Sequence, residues 1–66
     1  MLTYQVMEQT EGAGGELYKG DSKELALKAA QDFVSQWQSN ERYRRVDVTQ
    51  FCPCGENKVT FSATIN

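Results

Sequence analysis

Apolar and polar positions alternate from the start of the chain, with Leu2, Tyr4 and Val6 on one side of an extended segment and Thr3, Gln5 and Met7 on the other. A two-residue period of this kind predicts a strand with one buried face. Glu11-Gly12-Ala13-Gly14-Gly15 follows, rich in residues that take positive φ at little cost, and then Leu17-Tyr18-Lys19. This reads as a glycine-loop hairpin into a short second strand, with Leu17 facing inward beside Leu2, Tyr4 and Val6, and Tyr18 facing outward.

The period changes at Asp21. Between Asp21 and Asn40, Ala26, Leu27, Ala30, Phe33, Val34 and Trp37 fall within a stripe about 120° wide at ~100° per residue, opposite Lys28, Gln31, Asp32, Ser35 and Ser39. Asp21 is the expected N-cap, with Glu24 completing a capping box, and Glu24 with Lys28 forms a favourable i, i+4 pair. Alternation returns after the helix. Val46 and Val48 oppose Arg45, Asp47 and Thr49, and Val59, Phe61, Ala63 and Ile65 oppose Lys58, Thr60, Ser62 and Thr64, with the turn-forming Cys52-Pro53-Cys54-Gly55-Glu56-Asn57 between them.

These elements predict an α+β chain of order ββαββ, in which two hairpins form a four-stranded antiparallel sheet and the helix covers one face. The opposite face is left to water. By strand parity it carries Thr3, Gln5, Met7, Tyr18, Arg45, Asp47, Thr49, Phe51, Thr60, Ser62 and Thr64. At 66 residues the chain buries only about 60% of its unfolded surface, which limits it to a single small domain over 1–66 with one core. A hydrophobic content of 39% argues against a disordered tail.

Seven Lys plus Arg against nine Asp plus Glu give a net charge of −2, too acidic for non-specific phosphate binding and too balanced to imitate a nucleic-acid backbone. The charges are unevenly placed. Glu8, Glu11, Glu16, Asp21 and Glu24 occupy the first third, whereas Arg42, Arg44 and Arg45 cluster beside Tyr43. The N-terminus has neither a basic region nor an apolar run, and no window approaches the ~20 apolar residues that span a bilayer, so the expectation is a soluble, cytoplasmic protein without membrane attachment.

Catalytic chemistry is poorly represented. There is no His, no activated nucleophile and no signal that places two carboxylates in a pocket, so the chain is expected not to be an enzyme and to need no cofactor. The glycine stretch lacks the strand-to-helix context and the Lys of a phosphate cradle. Cys52 and Cys54 are the one reactive pair, but zinc needs four ligands and a bridge across a single Pro is expected to be strained. Structural or incidental thiols in a hairpin are the favoured reading, with metal or redox duty behind it.

Surface recognition remains. Arg42, Arg44 and Arg45 are residue types that anchor interfaces, and Tyr18 and Phe51 lie on the expected open face, giving five candidate partner-binding positions. A partner protein, or self-association into a homodimer, fits exposed apolar residues best. The alternative is single-strand nucleic-acid binding by stacking on Tyr18 and Phe51, which the neighbouring acids oppose. The order of Tyr4-Gln5-Val6, glycine hairpin, capped helix ending near Trp37, Arg45-Val46-Asp47-Val48 and a Cys-Pro turn resembles small phage-encoded inhibitors, including anti-CRISPR proteins and the T7-type inhibitor of host RNA polymerase. That resemblance implies a stoichiometric inhibitor that occupies a nucleic-acid-handling enzyme by surface complementarity.

Overall fold

The computed structural model describes residues 1–37 and 43–65. Its elements run β1 (Thr3–Thr10), β2 (Ala13–Gly20), α1 (Lys23–Gln36), β3 (Arg44–Phe51) and β4 (Asn57–Ile65). The strands form one antiparallel sheet of order β2-β1-β3-β4, so each hairpin contributes a pair and β1 meets β3 at the centre. This is the expected α+β arrangement. No helix is long and apolar enough to cross a membrane among the described residues.

The core is the layer between α1 and the sheet. Val6, Val46 and Val48 are 0% exposed, and with Tyr4, Ile65, Ala26, Ala30 and Phe33 they make up the buried cluster. The helical stripe thus faces the sheet as the periodicity requires. The small Ala26 and Ala30 are fully buried, and Phe33 is close to it.

The helix start lies one residue later than expected. Ser22, not Asp21, adopts the extended cap conformation, and its Oγ accepts the Leu25 N–H at 3.2 Å. Ser and Asp are comparable caps, and what separates them is Tyr18, whose hydroxyl accepts the Ser22 N–H at 3.2 Å and fixes that residue just outside the first turn. The helix ends in the described segment at Gln36 with Trp37 as C-cap. The expected extension to Asn40 lies outside the described residues.

Turn chemistry sets the first hairpin. Glu11 and Gly12 have φ of 47° and 89°, and Thr10 pairs with Ala13, so a two-residue turn with both central residues at positive φ closes the strands. The expected five-residue loop is therefore two residues, and Gly14 and Gly15 belong to β2. Their lack of side chains has a use there, since a Cβ on Gly14 would sit 3.0 Å from the Glu8 carbonyl oxygen and one on Gly15 3.1 Å from Glu8 Oε1.

Two bulges change which residues face the helix. In β2 the register passes from Val6–Tyr18 to Met7–Glu16, leaving Leu17 as the extra residue. Tyr18 consequently packs against the core, and Leu17 is 41% exposed, the reverse of the expectation. In β4 the register passes from Val48–Phe61 to Thr49–Val59, with Thr60 extra. Val59 then shares the parity of Thr49 and is 54% exposed, while Phe61, Ala63 and Ile65 keep their inward positions. A one-residue insertion in one strand is enough to exchange faces beyond it.

Candidate functional site

Strand parity divides the arginines. Arg44 is in register with Thr10 and Ile65, on the helix side of the sheet, whereas Arg45 is in register with Gln9 and Thr64, on the uncovered side. Their roles diverge accordingly. The Arg44 guanidinium carbon stands 3.7 Å from the centroid of the Trp37 ring, and its Nη1 donates to Thr10 Oγ1 at 2.8 Å. Thr10 Oγ1 in turn donates to Glu8 Oε2 at 3.2 Å. Arg44 Nε is shut off from water and has no hydrogen-bond partner among the described residues.

Arg44 is therefore a closure of the core at the helix C-terminus. A cation over an indole face gains from the ring quadrupole, and the guanidinium stacks flat in a way an ammonium does not. Arg42, the third member of the expected cluster, lies outside the described residues. Tyr43 is 42% exposed, and its carbonyl accepts the Glu11 N–H at 3.3 Å, tying the entry to β3 against the first turn.

The uncovered face is built from odd-numbered residues of β1 and β3. Met7, Asp47 and Ser62 lie in one row across the sheet, Gln5, Thr49 and Val59 in the next, and Thr3, Phe51 and Asn57 at the end. The β1–β3 register is continuous from Thr3–Phe51 to Thr10–Arg44, so Phe51 keeps the open-face parity of Thr49 and Asp47 and is half-buried there. Phe51 and Arg45 thus stand on the face that strand alternation predicts for them. Val59 and Tyr18 stand on the faces opposite to those that alternation predicts, because neither bulge has a compositional marker.

Polar groups on the face are tied to one another. Asp47 Oδ1 accepts from Arg45 Nε at 3.1 Å and from Ser62 Oγ at 2.7 Å, and Gln5 Nε2 donates to Glu16 Oε2 at 2.8 Å. The hydrogen bond from Arg45 to Asp47, and then the charge of Asp47, raise the Arg45 pKa. Arg45 is nonetheless 46% exposed in its side chain. Met7, 38% exposed, and Val59 supply apolar surface, with Phe51 diagonal to Val59 in the adjoining row.

A second constellation occupies the tip of the β3–β4 hairpin. The Gly55 N–H donates to the Cys52 carbonyl at 2.9 Å, and the Cys52 N–H donates to the Glu56 carbonyl at 3.0 Å. With Gly55 at φ 94° and Pro53 at the position where its fixed φ is favoured, this is a four-residue turn followed by a glycine bulge. The turn brings the Cα atoms of Cys52 and Cys54 to 5.1 Å, within bridging range, and the two are joined by a disulfide. The strain expected of a bridge across a single Pro does not keep the two sulfurs apart. Among the described residues, no three His, Cys, Asp or Glu side chains gather as a metal site would require.

Compared with known proteins, the chain matches no family model, no curated protein and no solved structure.

Proposed function

We propose that this chain is a non-enzymatic protein-binding module acting in the cytoplasm as a stoichiometric inhibitor or adaptor, and that it docks through the uncovered face of its sheet. The observation that carries the reading is the composition of that face: Phe51 and Val59 are diagonal neighbours on β3 and β4, Met7 lies on the same face on β1, and the hydrogen-bonding side chains of Gln5, Arg45, Asp47, Thr49 and Ser62 are interspersed with them. Exposed apolar side chains among hydrogen-bonding groups are residue types that protein interfaces use. Arg45 belongs to this face and Arg44 does not.

Nucleic-acid stacking is less well supported. It needs several aromatics on one face within positive surroundings, yet Tyr18 packs against the helix side and Asp47 and Glu16 balance Arg45 and Lys19 on the open side. Phe51 alone of that pair is left for stacking.

The test is capture by the tagged full chain from a bacterial lysate, with and without nuclease, followed by reconstitution with the purified partner. The expected result is a nuclease-resistant complex of fixed stoichiometry that the double variant Met7→Lys, Val59→Lys loses while its unfolding transition is unchanged. Complete loss of partners on nuclease treatment would instead support the nucleic-acid reading. Retention of the partner by the double variant would remove the open face from consideration.

A further inference from the structure

We propose that the Cys52–Cys54 pair is a reversible thiol–disulfide exchange site for small-molecule thiols, with Cys54 as the sulfur attacked and Cys52 as the leaving thiolate. Cys54 is exposed at the hairpin tip and Cys52 is half-buried, so an incoming thiolate reaches Cys54 more readily. The Cys54 N–H donates to Cys52 Sγ at 3.3 Å. A donor aimed at one sulfur stabilises negative charge there and makes it the better leaving group.

The exchange proceeds in two displacements. A thiolate forms a bond to Cys54 Sγ, the Cys52–Cys54 bond breaks, and its electron pair passes to Cys52 Sγ, which takes a proton from water. A second thiolate attacks the small-molecule sulfur of the mixed disulfide and releases Cys54 as a thiolate, which is likewise protonated. The protein gains two electrons and two protons, and two thiols become one disulfide.

The hairpin is arranged to tolerate both states. Its closure rests on the Cys52–Glu56 and Gly55–Cys52 backbone hydrogen bonds and on the positive φ of Gly55, none of which uses the sulfur bridge. The loop closed by the disulfide is also so short that it restricts few unfolded conformations, which makes its contribution to stability small. Exposed disulfides are in general the exchangeable ones.

The experiment equilibrates the full-length purified protein in buffers of varied reduced-to-oxidised glutathione ratio, traps thiols by alkylation and maps them by peptide mass. We expect interconversion of dithiol and disulfide that reaches the same ratio from either side, a mixed disulfide mapped to Cys54 with Cys52 alkylated, and a reduced protein with the same strand signal and a cooperative unfolding transition. As single thiols, Cys52 in the Cys54→Ser variant should react with alkylating agent at neutral pH several-fold faster than Cys54 in Cys52→Ser once both are denatured-state corrected, because residue 54 still donates its N–H. Glutathione mapped to Cys52, loss of the fold on reduction, or failure of the dithiol to close in oxidised glutathione would each overturn the proposal.

Discussion

Replacing Gly20 by alanine tests the most consequential departure of this fold from simple strand alternation, the inward turn of Tyr18. A Cβ at residue 20 would lie 2.5 Å from the Tyr18 hydroxyl oxygen and 2.9 Å from Cζ, so the ring must move. Moving it breaks the hydrogen bond from the Ser22 N–H, worth about 1 kcal/mol, and takes the side chain off its preferred rotamer at a cost of about 1 kcal/mol. Against this, alanine reduces unfolded-state entropy and returns roughly 0.4–1 kcal/mol, and nothing in the backbone opposes it, since positive φ among the described residues is confined to Glu11, Gly12 and Gly55. The net expectation is a loss of about 1–1.5 kcal/mol, a large share of the few kcal/mol that a domain of this size commands.

In a Tyr18→Leu background the obstruction is gone. Gly20→Ala should then stabilise by roughly 0.4–1 kcal/mol, giving a coupling of about 2 kcal/mol between the two positions. Urea denaturation of the four proteins, with unchanged slopes, measures it. An equal effect of Gly20→Ala in both backgrounds would mean that the ring does not cover residue 20 and that Tyr18 belongs on the other face.

Two further outcomes follow from local geometry. Ser22→Ala should cost about 1 kcal/mol through loss of the cap on the Leu25 N–H, whereas Asp21→Ala should cost less than about 0.5 kcal/mol, both read from urea midpoints; the reverse order would return the cap to Asp21. A double-mutant cycle of Trp37→Leu with Arg44→Met should yield a favourable coupling of about 0.5–2 kcal/mol, with Arg44→Lys recovering only part of it, and a coupling near zero would make the stacking incidental.

The elements themselves were legible because each carries a strong periodic signal: Ala26, Ala30 and Phe33 mark the covered stripe of the helix, and Val46 with Val48 marks the inner face of β3. Facing was legible only as far as the register stayed regular. Leu17 and Thr60 are ordinary strand residues, and nothing in their identity announces an unpaired insertion, yet each reverses the parity of what lies beyond it. The candidate site inherits that error directly. Tyr18 leaves it, Val59 joins it, and Phe51 stays because β3 has no insertion against β1. The arginines show the complementary effect, in which neighbours along the chain become opposites in space: Arg44 on Trp37, Arg45 beside Asp47.

The strand order has a consequence for how the chain reaches this state. Each hairpin and the helix can organise within its own segment, but two-stranded hairpins and isolated helices of 14 residues are marginal in water. Cooperativity must come from the central β1–β3 seam, whose shortest closure, between Thr10 and Arg44, spans 34 residues. Zippering that seam incurs the loop entropy of everything from the first turn through the helix before Val6, Val46 and Val48 can share a core. The rate of folding is therefore set where the two halves of the molecule meet, and the segment that joins them, helix included, acts as the tether that sets their effective concentration for one another.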